Sequence, residues 1–209
     1  MLRILIADDH SVVRKGLRQI LLDEFPTAEI GEVPDAEELI KNVMAAQWDV
    51  VVSDLSMPGR SGLDALQQIK LSHPELPVLI LSIHPEEQYA LRALKSGASG
   101  YLSKDTAPDE LVKAVKKVLL GKKYISQAIA EKLANTFSSD NTINPHESLS
   151  DREFDVMKLL ANGKSVSEIA EMLSLSVTTV STYRARVMVK LDLKSNSGLT
   201  KYAIENNLI

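Results

Sequence analysis

The first 120 residues alternate between two hydrophobic periods. Short, mostly apolar and β-branched runs, RILIA (3–7), EIGEV (29–33), DVVVSD (49–54), PVLILS (77–82) and GYLSK (100–104), predict five strands. The longer stretches between them carry apolar residues at helical spacing, for example Val12, Val13, Leu17, Ile20 and Leu21, or Leu111, Val115, Val118 and Leu119. Strands that are apolar throughout and alternate with helices need cover on both faces, which is the condition for parallel pairing. The pattern therefore predicts a five-stranded doubly wound α/β domain.

The pattern then changes. Gly121 with Lys122 and Lys123 closes the last helix of the unit with a C-cap residue and basic charge near its end. SQAIAEKLAN (126–135) predicts one more helix, and SSDNTINPHES (138–148), polar and without apolar periodicity, reads as a linker. From Leu149 onward only helical patterns occur. LSDREFDVMKLLANG opens with Ser150 and Glu153 at capping-box spacing and closes at Gly163, and three further short helices follow. The expected organisation is an α/β domain over 1–121, a linker with a short helix over 122–147, and a small all-α domain over 148–209.

Composition narrows the setting. Hydrophobic residues make up 44% and charged residues 25% of the 209, so both domains can build a core. No apolar run approaches the roughly 20 residues that span a bilayer, and two aspartates break the N-terminal run before it could act as a secretory leader. With no cysteine there is neither disulfide nor thiolate chemistry. We expect a cytoplasmic protein with no membrane association. The net charge of −4 hides an asymmetry: the first 144 residues hold 16 Lys/Arg against 20 Asp/Glu, whereas Ser176 to Lys201 holds five basic residues against Asp192 alone. A local charge of +4 in an otherwise acidic chain points that segment at a polyanion.

The chemistry concentrates at strand ends. In a doubly wound sheet, ligands bind outside the carboxyl ends of the strands, and in a 2-1-3-4-5 order the first and third strands are neighbours. Asp8 and Asp9 follow the first strand and Asp54 ends the third, so three carboxylates converge on one mouth. Their repulsion is relieved by a hard divalent cation such as Mg²⁺, which takes carboxylate and phosphate oxygens and keeps several waters. Ser82 and Lys104 end the fourth and fifth strands and offer a hydroxyl and an ammonium to a phosphate. Singly, each of these residues reads as a cap, a turn or a solvated charge. Together they are the parts for carrying a phosphoryl group on an aspartate, with Asp54 as acceptor. Tyr101 reads as half-buried packing, Gly59 and Gly62 as turn and helix-start glycines, and His10, His73, His84 and His146 do not share a metal-ligand spacing.

Through ADDH, SDLSMPGRSGLDAL, LILS, ALKSGASGYLSKD and ELVKAV, residues 1 to 120 resemble the response-regulator receiver family. The resemblance implies that Asp54 accepts phosphate from a histidine kinase, that Asp8, Asp9, Asp54 and the Ser56 carbonyl arrange Mg²⁺, and that Lys104 and Ser82 bind the phosphoryl group. It also implies that Ser82 and Tyr101 move together as a switch pair, and that side chains near Ser56 and His84 set the rate of autodephosphorylation.

In the tail, Ile169, Ala170 and Leu173 form an apolar face, SLS makes a turn, and Val180, Val187 and Leu191 line the next helix, which is the rhythm of a helix-turn-helix. Residues 148 to 209 resemble the LuxR-type (NarL/FixJ-type) DNA-binding domain through LSDREFDVMKLLANGKSVSEIAEMLSLSVTTVSTYRARVMVKL and YAIENNLI. The resemblance implies that Ser176 to Leu191 enters the major groove of promoter DNA, with Ser181, Thr182 and Ala185 facing bases. Lys164, Ser165, Thr178, Thr179, Arg184, Arg186 and Lys190 are then the phosphate contacts. Tyr183 stands where the family often has histidine, and Ser181 and Ala185 are small where relatives often carry Lys or Arg.

The two halves together imply a phosphorylation-controlled transcription regulator, not a metabolic enzyme, that forms a homodimer on activation. An aspartyl-phosphate phosphatase would need an acid/base aspartate two residues after Asp54, where this chain has Ser56. A pure protein-interaction module would lack salt-dependent DNA affinity.

Overall fold

The computed structural model describes residues 1–131 and 144–209. The chain divides into two compact units, Met1–Ser139 and Asp140–Ile209. In the first, β1 (Arg3–Ala7), β2 (Glu29–Val33), β3 (Val50–Asp54), β4 (Val78–Ser82) and β5 (Gly100–Ser103) alternate with α1 (Ser11–Glu24), α2 (Ala36–Ala45), α3 (Gly62–Ser72), α4 (Glu86–Lys95) and α5 (Ala107–Leu119). The sheet is parallel throughout and ordered β2-β1-β3-β4-β5, as the sequence pattern implied.

β3 and β4 lie inside the sheet and are buried at every position. On one face Ile4, Ile6, Val50, Val52, Leu79 and Leu81 pack against Leu17 and Leu21 of α1 and Leu111, Ala114, Val115 and Val118 of α5. Each such aliphatic side chain contributes about 1.5–3 kcal/mol by leaving water. The apolar stripe is narrower than the sequence suggested. Val12 is 80% exposed and Leu119 37% exposed, because each sits one residue off the stripe that faces the sheet.

The two edges differ. β2 is solvated at Glu29 and buried only at Val33, so it is half-covered, unlike the central strands. The β5 edge is closed by the chain itself. After α5, Tyr124 forms a parallel bridge with Gly100, its N–H donates to Ser99 O at 2.8 Å, and its carbonyl accepts from Tyr101 N at 3.3 Å. This stretch, expected as linker, therefore pairs with the sheet. Gly100 permits the approach, since a Cβ there would lie 2.5 Å from Tyr124 O. Of the helix expected over 126–135, residues 127–131 are helical and the remainder lies outside the described residues.

In the second unit a 3₁₀ turn (Pro145–Ser148) precedes α6 (Asp151–Ala161), α7 (Val166–Met172), α8 (Val177–Lys190) and α9 (Asn196–Glu205). The turn overrides the reading of 145–148 as open linker, and it is anchored by His146, whose N–H and Nδ1 lie 3.2 and 2.9 Å from the Tyr202 hydroxyl. The capping box expected at Ser150 and Glu153 is present, and a second one forms at Ser165 and Glu168. Phe154, Val156 and Met157 of α6, Ile169 of α7, Val180 and Val187 of α8, and Leu199 and Ala203 of α9 are all buried and make the small core.

A methyl group at Gly100 must displace Tyr124 from the β5 edge. Gly100→Ala should lower unfolding stability by about 1–3 kcal/mol, the usual cost of overpacking, measured by urea denaturation followed through the sheet signal. An unchanged midpoint would show that the edge pairing adds nothing.

Candidate functional site

Strand register alone assembles the acidic mouth. Ala7 pairs with Ser53, which sets Asp8 level with Asp54, and Ser82 pairs with Ser103, which sets the residue after β5, Lys104, beside the end of β4. The Lys104 N–H donates to Ser82 O at 2.8 Å and fixes that turn. The lysine side chain then reaches across two strands, with Nζ 2.7 Å from Asp8 Oδ2 and 2.9 Å from Asp54 Oδ2. Asp8 and Asp54 are both buried.

Two buried carboxylates thus share one ammonium, and the balance is visible in the acidities of Asp54 and Lys104. Burial pushes the Asp54 carboxyl above its ordinary value, and Lys104 only partly counters it while the Asp8 charge adds to it. For Lys104, burial pulls the ammonium down, but the two carboxylates outweigh it and hold it above its usual range. Asp54 Oδ1 also accepts from Ser56 N at 3.2 Å.

Asp9 is half-buried beside the mouth, and one ligand atom from each of Asp8, Asp9, His10 and Asp54 falls within 4.8 Å of the others. Asp8 Oδ2 and Asp9 Oδ1 are buried without a hydrogen bond. Their close contacts, to Lys104 and to His10, are ion-pair approaches outside hydrogen-bond geometry. The buried oxygens of Asp8 and Asp54, with Asp9 beside them and lone pairs unused, fit a divalent cation such as Mg²⁺.

The remaining expected pocket residues lie around the rim. Ser82 Oγ accepts from His84 N at 3.0 Å, and the Tyr101 hydroxyl donates to His84 O at 3.0 Å, so both side chains bind the same loop residue. Tyr101 is buried rather than half-buried, and that burial holds its phenol well above the ordinary range. The His84 ring lies 2.9 Å from Ser56 Oγ.

Three features had weaker sequence signals. Gly62 does more than start a helix: a Cβ there would lie 1.9 Å from Asp54 O, so only glycine lets α3 abut the acceptor strand. Arg14 donates from Nη1 to Asp8 O at 2.5 Å and stands 3.8 Å from Glu32, a second cation against the mouth that helical spacing alone did not single out. His10, which shares no spacing with another histidine, stands with the aspartates because Asp8 and Asp9 directly precede it and β3 brings Asp54 alongside.

In the second unit, Ser174 at φ 53° makes the turn between α7 and α8, and Ser176 caps α8 by accepting from Thr179 N at 3.0 Å. Val180 and Val187 face the core, while Thr178, Ser181, Thr182 and Ala185, spaced three and four apart, form an exposed stripe on the other side. Thr179 is half-buried, Arg186 is exposed, and the Arg184 guanidinium binds Asn196 Oδ1 at 3.0 and 3.2 Å at the start of α9. Lys164 is exposed and stands 4.0 Å from Glu168, while Ser165 caps α7. Lys190 also makes bonds within the domain. Its Nζ binds Glu153 Oε2 at 2.6 Å and Ser148 O at 3.1 Å. Burial raises the Glu153 carboxyl, and the bonds from Lys190 and Ser150 more than reverse that. Lys190 therefore ties the end of α8 to the start of α6 while staying exposed at the surface.

Comparison with known proteins agrees with both halves. Residues 4–116 match the response regulator receiver domain, and residues 147–203 match the bacterial regulatory proteins of the luxR family. The chain is 38% identical to the response regulator UvrY of Escherichia coli (strain K12), covering 100% of this chain and 96% of the relative. It is also 38% identical to the oxygen regulatory protein NreC of Staphylococcus aureus (strain JH9), covering 100% and 99%. Among solved structures, RcsB from Salmonella enterica serovar Typhimurium, bound to promoter rprA in the presence of phosphomimetic BeF3−, is similar with a TM-score of 0.63 at 29% identity over 97% of this chain and 98% of that one. A two-component response regulator RcsB–DNA complex is similar with a TM-score of 0.57 at 30% identity over 96% of each chain.

Because folding lifts the Asp54 pKa, its ionised form costs stability at neutral pH. The favourable contribution is complete below the unfolded value of 3.8 and is lost as pH rises through the higher folded value. With metal chelated, Asp54→Asn should therefore unfold at higher urea than the parent at pH 7, with the gap narrowing on acidification toward pH 4. A gap that is constant or reversed across that range would contradict the assigned cause.

The match of both parts in chain order, over a pocket and a helix-turn-helix with the geometry just described, makes this chain a member of the NarL/FixJ-type response regulators, DNA-binding transcription regulators that join a receiver domain to a LuxR-type helix-turn-helix.

Proposed function

We propose that Asp54 is the phosphoryl acceptor of this regulator and that a histidine kinase is its donor. The observation that carries the reading is the buried Asp54 carboxylate at the end of β3, held by Lys104 against Asp8. An Asp54 oxygen attacks phosphorus, a P–O bond forms as the P–N bond to the donor histidine breaks, and the leaving imidazole nitrogen takes the electron pair. Lys104 is already placed at Asp54 Oδ2 to meet the incoming negative charge, and Ser82 can exchange its bond from His84 N for one to a phosphoryl oxygen. Asp8, Asp9, Asp54 and the Ser56 carbonyl are the groups that would hold Mg²⁺, which when bound offsets the charge of the carboxylates and the phosphoryl group.

Since Ser82 and Tyr101 both bind His84, drawing Ser82 toward a phosphoryl group frees one of two restraints on the β4–α4 loop. We assign the receiver to residues 1–121, the connecting segment to 122–147 and the DNA-binding domain to 148–209. Phosphorylation favours a homodimer in the cytoplasm that places α8 of each copy in the major groove of promoter DNA. Ser181, Thr182 and Ala185 face the bases, and Lys164, Ser165, Thr178, Thr179, Arg184, Arg186 and Lys190 the phosphates.

Acetyl phosphate with Mg²⁺ should label the parent chain stoichiometrically and leave Asp54→Asn unlabelled. Undiminished labelling of that variant would move the acceptor to another residue. For the second domain, Arg186→Ala should weaken binding to specific and random duplexes alike and flatten the log–log salt dependence by about one unit, read by fluorescence anisotropy at several salt concentrations. A loss confined to one operator sequence would assign Arg186 to base readout instead.

A further inference from the structure

The three carboxylates of the mouth share it with a nitrogen ligand. His10 occupies the N-cap position of α1, and its N–H donates to Asp8 Oδ1 at 2.8 Å. That places its ring over the mouth, with Nδ1 2.7 Å from Asp9 Oδ1 and 3.4 Å from Asp8 Oδ1. Asp8 is fully buried, and its Oδ2 has no hydrogen bond although Lys104 approaches it, so the carboxylates keep lone pairs for a cation. The His10 side chain itself is 67% exposed, which lets the ring turn about its side-chain bonds without disturbing the core.

A set of oxygens alone suits Mg²⁺, which is hard and sheds water reluctantly. Imidazole instead favours the borderline first-row cations, in the order Mn²⁺ below Co²⁺ below Ni²⁺. We propose that His10 is a ligand in this metal site, and that it gives the pocket a preference for borderline divalent cations such as Co²⁺ over Mg²⁺. The proposal rests on the acidic mouth being the metal site of the receiver. It goes beyond that reading in naming a fifth ligand and the class of ion that ligand selects. The same chain would then take phosphate under two metal regimes, its occupancy following whichever cation is available.

The test uses the full-length chain with MgCl₂, MnCl₂ and CoCl₂ as probes. Pulsed electron paramagnetic resonance of bound Mn²⁺ should show imidazole nitrogen coupling in the parent and lose it in His10→Asn, a substitution that keeps a favoured N-cap residue at the start of α1. Direct titrations should show Co²⁺ affinity falling by on the order of tenfold in that variant while Mg²⁺ affinity changes by less than about twofold. Absence of nitrogen coupling in a parent chain that still binds Mg²⁺ and accepts phosphate overturns the role of His10 and leaves the pocket reading intact. Equal weakening of Co²⁺ and Mg²⁺ in the variant also overturns it, since that would make His10 a support for the loop. A parent chain that binds none of the three cations overturns both readings together.

Discussion

The receiver half is organised around an unbalanced charge. Asp8 and Asp54 are buried at the carboxyl end of the sheet, and one lysine stands between them at 2.7 and 2.9 Å. Removing a carboxylate from water is costly unless it is paired and hydrogen-bonded, and one ammonium cannot satisfy two. The fold tolerates the imbalance because the surrounding elements fix these groups in place. β1 and β3 are locked in register on a core of aliphatic side chains, and α3 presses against the Asp54 backbone through a position that only glycine can fill. The residual negative charge is what a divalent cation would offset at this mouth.

The neighbouring polar groups follow from that constraint. The β5 turn must deliver Lys104 to the mouth, and the bond from its N–H to Ser82 O ties the ends of β4 and β5 together. Next to it, Ser82 and Tyr101 both bind the backbone of His84, Ser82 accepting from its N–H and Tyr101 donating to its carbonyl. Tyr101 is held on its far side as well, by the bridge that Tyr124 makes along β5. The segment leaving the receiver is thus hydrogen-bonded to the backbone of the residue expected to switch.

Much of this was legible in the sequence because period and composition report burial directly. RILIA, DVVVSD and PVLILS are apolar at nearly every position since each lies inside the sheet, and the ends of such strands locate Asp8, Asp54, Ser82 and Lys104 before any coordinates are known. What escaped depends on directions in space. Val12 and Val13 are equivalent in composition, yet only the second lies on the stripe facing β1. Tyr124 falls in a stretch with no strand pattern and pairs only because Gly100 leaves room for it. His10 shares no spacing with another histidine, and its adjacency to Asp8 and Asp9 becomes a four-residue cluster only when β3 brings Asp54 alongside.

The DNA-binding half solves the opposite problem, presenting positive charge on a helix that must also be held firmly. Its cations divide the two tasks. Lys190, at the end of α8, reaches Glu153, whose carboxylate is itself committed to the capping box of α6; one residue pair thereby ties the far end of α8 to the start of the helix behind it. Arg184 reaches Asn196 and steadies the same helix against α9 without meeting a carboxylate, so its charge is undiminished. Arg186 projects from the exposed side, near the stripe of Thr178, Ser181, Thr182 and Ala185. A count of basic residues along the helix cannot distinguish these roles, because the difference lies in which acidic neighbour each side chain can reach. Lys190 finds the buried Glu153 carboxylate, Arg184 finds an amide oxygen, and Arg186 is exposed beside them.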